Sequence, residues 1–122
     1  MIKDNSGSKD LFVAGLDTTS ATVEWVMAEL LHNPKKLTKT RKELQQVLNK
    51  DEDPKDSDIF KLKYLQAVVK ETLRFHPTAP ILIHKSMTKV DISGFKVAKD
   101  AQVLVNVWAM GRDPSIWTNP NF

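Results

Sequence analysis

The chain contains no cysteine, and this absence removes disulfides, thiolate metal sites and cysteine nucleophiles from the chemistry that these 122 residues can perform. It has only three histidines, His32, His76 and His84, which lie far apart and lack the short spacing of a zinc site. The formal net charge is only +3, and lysines alternate with acidic residues in the predicted helices. This pattern argues against a dedicated nucleic-acid surface, so we expect no nucleic-acid partner.

Long apolar runs are also missing. Asp17, Glu24 and Glu29 interrupt the most apolar helix well before the roughly 20 apolar residues that a membrane span requires. Taken alone, the chain is therefore expected to be soluble, unless an anchor precedes Met1 in a longer parent. Its length and ordinary apolar content fit one small domain.

A helix is predicted from Asp10 to His32, after a flexible lead-in over residues 1–9. At about 100° per residue it carries one apolar stripe and, opposite, a face of small residues, which predicts a helix buried within a larger body. In the chain alone, both faces of this helix are expected to be short of partners. The stripe comprises Leu16, Val23, Met27 and Leu30, and the small-residue face comprises Ala14, Thr18, Ala21, Ala28 and, beside them, Trp25.

The segment Ala14–Thr19 (Ala-Gly-Leu-Asp-Thr-Thr) is costly within this helix. Gly15 costs up to about 1 kcal/mol in a helix interior, and the Asp and Thr side chains compete for local backbone groups. One interpretation is structural, with the hydroxyls of Thr18 and Thr19 bonded back to the preceding turn. The other is that this segment performs chemistry.

Two more long helices are predicted. The first is capped by Asn33, begins at Pro34 and buries a leucine-rich stripe; a solvated loop, 49–57, follows it, and Ser57 or Asp58 caps a short turn. The second runs from about Leu62 to Phe75 and ends before Pro77. It places Glu71 and Arg74 three residues apart, and the residues alone favour a surface ion pair worth under about 1 kcal/mol.

Beyond Pro77 the sequence predicts short extended segments. Pro80–Ile83 is apolar, a hairpin spans Val90–Val97 with its turn at Ser93 and Gly94, and a strand covers Gln102–Trp108. One capped helical turn is predicted within Asp113–Pro120. The predicted fold class is therefore mainly α with a small antiparallel β-sheet.

Three segments in this order resemble the cytochrome P-450 (haem-thiolate) monooxygenases, in particular the plant members around geraniol 8-hydroxylase and the flavonoid hydroxylases. Ala14–Thr19 resembles the oxygen-activation motif of that family's central helix. Lys70–Pro77 resembles its Glu-x-x-Arg helix, and Val105–Pro120 the segment before its haem loop. The resemblance covers about Asp10 to Phe122 and implies a partial P-450 domain, 10–122, running from the end of the central helix through the Glu-x-x-Arg helix to the β segment.

The resemblance implies a haem (heme) cofactor and bound dioxygen beside the small-residue face. Asp17 and Thr18 would then be the catalytic acid and alcohol of a proton relay, while Ala14, Gly15 and Thr18 would lie against the cofactor. His84 would meet a haem propionate, although an exposed loop histidine is an equal alternative. No metal ligand is assigned within the chain, because the axial cysteine is expected beyond Phe122.

The resemblance also implies structural and substrate-contacting residues. Glu71 and Arg74 would form a buried structural pair. Removing one partner of such a pair lowers the free energy of unfolding by about 3 to 5 kcal/mol. A substrate pocket would be bordered by residues from the central helix and from the first extended segment. These residues are Phe12, Val13, Leu16, Ala79, Ile81 and Leu82.

The predicted function is thus that of a carboxy-terminal-half fragment of a monooxygenase, incomplete at both ends and inactive alone. Its intact parent would hydroxylate a small apolar terpenoid or phenolic with electrons from NADPH-cytochrome reductase, at the cytosolic face of the endoplasmic reticulum membrane. The fragment itself would be soluble or aggregated. The alternatives are a non-enzymatic helical interaction module that pairs through exposed apolar surface, and a helical binding domain unrelated to the family.

Overall fold

The computed structural model describes residues 6–48 and 53–121, with side chains described from Leu11 onwards except that of Val13. The chain divides into two units, Met1–Thr78 and Ala79–Phe122. The first is helical and the second contains the strands, so the predicted class, mainly α with small antiparallel sheets, is confirmed. No helix in the described ranges is long and apolar enough to cross a membrane.

Within residues 6–48 and 53–78, the helical unit contains three long helices and one short one. They are α1 (Ser6–His32), α2 (Pro34–Val47), α3 (Asp56–Ile59) and α4 (Lys63–Phe75). The three long helices contact one another pairwise. Helix α1 begins at Ser6 rather than at Asp10, and α4 confirms its prediction to within one residue. Residues 1–5 of the predicted lead-in and 49–52 of the predicted loop lie outside the described residues.

The junction between α1 and α2 is stabilised by side chains that bond to the end of α1. Asn33 occupies the N-cap of α2 and Pro34 follows at the first helical position, as predicted, but the Asn33 side chain makes no capping bond. Instead its Nδ2 donates to the Glu29 carbonyl at 2.8 Å, and His32 Nδ1 lies 2.8 Å from the Ala28 carbonyl. The bond from Asn33 satisfies one of the last four carbonyls of α1, which lack a regular intrahelical partner, and the His32 ring adds a second contact one residue earlier.

The start of α4 is capped by a residue from α2. The local N-cap, Leu62, has no side chain that could accept a bond. Both oxygens of the Glu43 carboxylate accept instead, from the backbone N–H of Tyr64 at 2.7 Å and of Leu65 at 2.9 Å. A negative charge at this position also interacts favourably with the helix dipole. The sequence pattern does not predict this cap, because Glu43 and the two N–H groups are more than 20 positions apart along the chain.

The short helix α3 has a different cap from the one predicted. Its N-cap is Lys55 rather than Ser57 or Asp58. The Asp58 carboxylate bonds back to the Lys55 N–H at 3.1 Å and accepts from Lys61 Nζ at 2.9 Å. The predicted loop therefore ends two positions early because an acidic residue three places into the helix supplies the capping bond.

The second unit contains two separate antiparallel pairs. Strand β1 (Ile81–Lys85) pairs with β4 (Gln102–Asn106), with Ile81 opposite Asn106, while β2 (Val90–Ile92) pairs with β3 (Phe95–Val97). The predicted hairpin is confirmed. Ser93 and Gly94 both have positive φ, 51° and 87°, which is the backbone geometry of a tight two-residue hairpin turn.

The predicted strand over Gln102–Trp108 is two residues too long. Asn106 Oδ1 accepts from the Ala109 N–H at 2.9 Å and starts helix α5 (Val107–Met110), which removes Val107 and Trp108 from the strand. Further on, Asp113 Oδ1 accepts from the backbone and hydroxyl of Ser115, and the Trp117 N–H bonds to the Asp113 carbonyl. This confirms the capped turn predicted there.

Few side chains are buried in this structure. Among the described residues the buried apolar side chains are Leu30 and Leu62, joined by the threonines Thr40 and Thr72. The prediction that the chain alone leaves α1 short of partners is confirmed for the apolar stripe of this helix. Its stripe residues Leu16, Val23 and Met27 are exposed, because α2 and α4 cover only part of the α1 surface.

We predict that replacing Glu43 by Gln destabilises α4 by about 1 to 2 kcal/mol, because the neutral amide has one acceptor oxygen for two backbone N–H groups. Urea unfolding at low protein concentration, followed by far-UV circular dichroism, measures the effect. The exposed Glu24→Gln change in α1 is the control. Equal midpoints for both variants would refute the capping role of Glu43.

We also predict that the chain self-associates, because large apolar side chains are exposed along α1. They include Leu11, Phe12, Leu16, Val23, Met27 and Leu31. Size-exclusion chromatography should show species larger than a monomer that bind anilinonaphthalene sulfonate, and replacing Phe12 and Leu16 by Lys should shift elution towards the monomer. A monodisperse monomer with a sharp thermal transition would contradict the prediction.

Candidate active site

The threonines of α1 donate their hydroxyl protons to the preceding turn of the helix. Thr18 Oγ1 donates to the Ala14 carbonyl at 2.7 Å, Thr19 Oγ1 to that of Gly15 at 2.8 Å, and Thr22 Oγ1 to that of Thr18 at 2.8 Å. The structural interpretation of this segment is therefore observed. A hydroxyl that donates its proton still has lone pairs, so each of these oxygens can accept a hydrogen bond from another group.

An open face surrounds Thr18. A methyl group added at Gly15 would meet nothing within 4 Å, and Ala14 and Asp17 are exposed. The structure thus brings Ala14, Gly15, Asp17 and Thr18 together on one exposed stretch of α1. A flat ligand could approach the backbone closely here, with a carboxylate and a hydroxyl at its edge.

A groove of about 470 Å³ lies between α1 and α4. Threonine oxygens border it at one side, and aliphatic side chains form most of its wall. Its lining consists of Thr18, Thr19, Thr22, Val23, Val26, Met27, Val69, Leu73 and Thr78. Sequence periodicity assigns Val23 and Met27 to the apolar stripe of α1, but it cannot show that they face Val69 and Leu73 of α4 across a gap.

The predicted pocket residues are not brought together by any single element. Phe12 and Leu16 are exposed on α1, and the Val13 side chain lies outside the described residues. Ala79, Ile81 and Leu82 belong to the second unit. Ile81 and Leu82 are neighbours in β1, so their side chains point to opposite faces of the strand. Of the five whose side chains are described, none lines the groove between α1 and α4.

His84 is exposed, as its alternative interpretation predicts, but it lies in strand β1 rather than in a loop. It is opposite Val103 of β4, on the same face of the pair as Leu82, and its side chain is exposed. An exposed imidazole at this position can donate a hydrogen bond to an anionic group. Contact with a haem propionate remains a prediction.

Glu71 and Arg74 form a two-pronged ion pair. Arg74 Nε donates to Glu71 Oε2 at 2.8 Å and Nη2 donates to Oε1 at 2.7 Å. The Arg74 side chain is only 7% exposed, whereas that of Glu71 is 50% exposed. The hydrogen bond from Arg74 lowers the pKa of Glu71, and the same bond raises the pKa of Arg74. The pair therefore combines a largely buried guanidinium with a half-exposed carboxylate.

The residues of this chain fit one side of a haem. The open stretch around Ala14, Gly15 and Thr18 offers a small-residue surface with a hydroxyl oxygen, as one face of a macrocycle requires. A haem-thiolate centre would also need a cysteine ligand, and the 122 residues contain none. Among the described residues no group of three or more His, Cys, Asp or Glu side chains is placed to hold a metal ion.

Comparison with known families decides the identity of the fold. The model of the family described as Cytochrome P450 matches residues 7–122. The chain belongs to the cytochrome P450 family. The match includes all three segments on which the resemblance was based, and it extends the similarity to almost the whole sequence.

Plant cytochrome P450 proteins are closely similar to this chain. Cytochrome P450 76C4 of Arabidopsis thaliana is 57% identical over 113 residues, covering 92% of this chain and 22% of the relative. Geraniol 8-hydroxylase of Catharanthus roseus is 52% identical over 109 residues, covering 88% of this chain and 22% of the relative. The chain thus spans about 22% of the length of these curated relatives.

Solved cytochrome P450 structures share the fold. A zebrafish cytochrome P450 solved with progesterone superposes with a TM-score of 0.89 at 38% identity, covering 93% of this chain and 27% of that chain. The same values for TM-score and identity are found for a zebrafish cytochrome P450 structure with abiraterone. The arrangement of helices and antiparallel strands is therefore part of the cytochrome P450 fold.

We predict that Glu71→Gln makes the stability of the helical unit less sensitive to acid. The pKa of Glu71 in the folded chain lies below its ordinary value of 4.5. Its contribution is therefore complete above that pH and is lost as the pH falls through the lowered pKa. Since the carboxylate is half-exposed, screening limits this contribution to under about 1 kcal/mol.

Urea unfolding midpoints measured at several pH values between about 3 and about 7 test this expectation. The unmodified chain should lose more stability on acidification than Glu71→Gln, whereas the exposed control Glu24→Gln should behave like the unmodified chain. Identical acid sensitivity in all three proteins would show that the pair contributes nothing measurable.

Proposed function

We propose that these residues belong to a haem-dependent monooxygenase that hydroxylates a small apolar metabolite. The observation that carries the proposal is the open stretch of α1, where the Thr18 hydroxyl oxygen keeps free lone pairs beside an exposed Asp17. The chain's membership of the cytochrome P450 family supports haem as the group that this stretch adjoins. When bound, the haem supplies the activation of dioxygen.

Thr18 and Asp17 have distinct proposed roles. The Thr18 proton is committed to the Ala14 carbonyl, so Thr18 acts first as an acceptor and orients a water or hydroxyl proton by its oxygen. Asp17 is one residue away and exposed, which allows it to exchange protons with solvent and pass them towards that water. Ala14 and Gly15 contribute by leaving room, since neither has a side chain beyond a methyl group.

Haem contact by His84 and substrate contact by the predicted pocket residues complete the proposal. The exposed imidazole of His84 would donate to a propionate. The exposed apolar side chains of Phe12, Leu16, Ile81 and Leu82 would border an apolar substrate, together with Val13 and Ala79. Similarity to a geraniol 8-hydroxylase supports a terpenoid substrate, with a phenolic as the second class.

The proposed partners and location also derive from the family. Electrons would come from NADPH-cytochrome reductase, and the parent would lie at the cytosolic face of the endoplasmic reticulum membrane. These assignments are supported by the similarity to plant cytochrome P450 proteins. In the longer protein, Glu71 and Arg74 would be structural, because Arg74 is already largely buried and depends on Glu71 for its charge partner.

A non-enzymatic interaction module is the second candidate function. The observation in its favour is the exposed apolar surface along α1, which could bind a partner protein. A stable complex of the chain with a partner and without haem would support this candidate over the monooxygenase.

The test uses the longest product that the gene encodes around these residues, expressed with haem and assayed with geraniol. We predict a thiolate-type Soret spectrum and hydroxylated product. Thr18→Val should lower product formed per NADPH consumed by at least about tenfold, because a positioned proton acceptor is lost, while Thr18→Ser should retain most of the activity.

Thr38→Val is the matched control, since Thr38 makes the same bond to the preceding turn, to the Pro34 carbonyl at 2.9 Å, but in α2. Its activity should equal that of the parent. The 122-residue chain itself should give no thiolate-type spectrum with added haem. A gene product without a haem-ligating cysteine would refute the proposed function. Full activity in Thr18→Val would contradict the proposed role of Thr18.

A further inference from the structure

Three side chains form a cluster that joins α1 to the end of α4. His76, which follows the last residue of α4, stacks on Trp25 of α1 with ring centroids 3.9 Å apart and an interplanar angle of 4°. Its Nε2 lies 2.8 Å from Glu29 Oε1, also in α1. Phe75 also contacts the imidazole, edge-on, with ring centroids 4.7 Å apart.

The two contacts to α1 hold the imidazole in both position and direction. An ionised carboxylate can only accept hydrogen bonds, so Nε2 carries the proton and donates to Glu29. Stacking on Trp25 then sets the plane of the ring. The His76 side chain is 16% exposed and that of Glu29 is 38% exposed, so the bond is partly shielded from water and is stronger than an exposed one.

The cluster lies on the same face of α1 as Thr18. At about 100° per residue, Thr18, Thr22, Trp25 and Glu29 fall within an arc of about 60°. A rise of about 1.5 Å per residue puts Trp25 roughly 10 Å and Glu29 roughly 16 Å along the helix axis from Thr18. On the other helix, the His76 N–H bonds to the Thr72 carbonyl at 2.7 Å, so His76 is attached to the last turn of α4.

The groove between α1 and α4 is lined mostly by apolar side chains, several of which stay exposed. Leu30 is the buried apolar side chain of α1 among those described, and Val23 and Met27 beside the groove are exposed. Apolar contact is non-directional and restrains rotation of one helix against another only when the side chains interlock. The His76 ring, stacked on Trp25 and bonded to Glu29, restrains the rotation of α1 against α4 at one point of contact.

We propose that His76 is a positioning residue, which holds α1 at one rotation about its own axis relative to α4 and so directs Thr18 and Thr22 towards the groove. The consequence for oxygen chemistry rests on the proposed function of Thr18. The proposed orientation of α1 does not rest on that function, because the contacts that fix it lie between residues of this chain.

Distance measurement between two spin labels tests the proposal directly. The chain has no cysteine, so Ser20→Cys in α1 and Lys70→Cys in α4 provide the two labelling sites required, both on exposed residues. Labelled chain is diluted with unlabelled chain, so that each distance is measured within one molecule. The labelled parent should show one narrow distribution.

His76→Ala should broaden or shift the distribution. Rotation of α1 by about 50° moves a Cα atom by about 2 Å, and a label at the end of its linker moves further. His76→Gln, which keeps an N–H donor for Glu29, should narrow the distribution again. His32→Ala is the matched control, because the His32 ring bonds to the carbonyl of Ala28 in its own helix, and it should leave the distribution unchanged.

The proposal is overturned if His76→Ala gives the same distribution as His32→Ala, even if its melting temperature falls. Should His76→Ala lose its helical circular dichroism, the measurement uses His76→Phe, which keeps only the stack, and Glu29→Gln, which weakens only the bond. Broadening in either variant supports the proposal and no change in both overturns it. These results do not depend on haem, so they are distinguishable from failure of the proposed monooxygenase function.

Discussion

Contact between α1 and α4 is the constraint on which the helical unit depends, since each of these helices carries one of the two motifs that define the candidate site. Helix α1 bears the Ala14–Thr19 segment and α4 bears the Glu71–Arg74 pair. Two polar interactions set how α4 is held: Glu43 of α2 caps its first turn, and Trp25 and Glu29 of α1 bind His76 at its end. A helix held at both ends by side chains of its neighbours has a defined position even where its apolar contacts are sparse.

Local sequence signals were sufficient for the elements themselves. The ends of helices were predicted from Pro34 and Pro77, because proline has a fixed φ and lacks a backbone N–H. The hairpin was predicted from Ser93 and Gly94, which adopt the positive φ values of a two-residue turn. Predictions from the pattern were wrong where a polar side chain overrode it. Asn106 converted the end of a valine-rich strand into a helix, and Asp58 started α3 earlier than expected. Each of these side chains bonds to a backbone N–H only three positions away. The periodicity of apolar residues does not predict such bonds.

Distant partners explain what the sequence could not predict about the site. Glu43 and Tyr64 are separated by 21 positions, and Glu29 and His76 by 47. Nothing in the composition or spacing of one segment identifies such a partner. The sequence does not predict the groove between α1 and α4 for the same reason, although periodicity assigns Val23 and Met27 of its wall to an apolar stripe. Resemblance to the cytochrome P450 family supplied roles for Asp17 and Thr18, but it carried no information on the bonds that their neighbours make here.

The Glu71–Arg74 pair and the Ala14–Thr19 segment differ in how many of their hydrogen-bonding groups find partners within this chain. Glu71 and Arg74 lie three residues apart on one helix, so helix formation is enough to bring their side chains together, and the two-pronged pair is present with Arg74 already shielded. Thr18 likewise satisfies its donor within its own helix, at the Ala14 carbonyl. Its acceptor capacity, and the carboxylate of Asp17, are directed to no partner among the described residues. A helix can therefore build the Glu71–Arg74 pair by itself, whereas Thr18 and Asp17, for which we propose a role beside a ligand, stay exposed on α1.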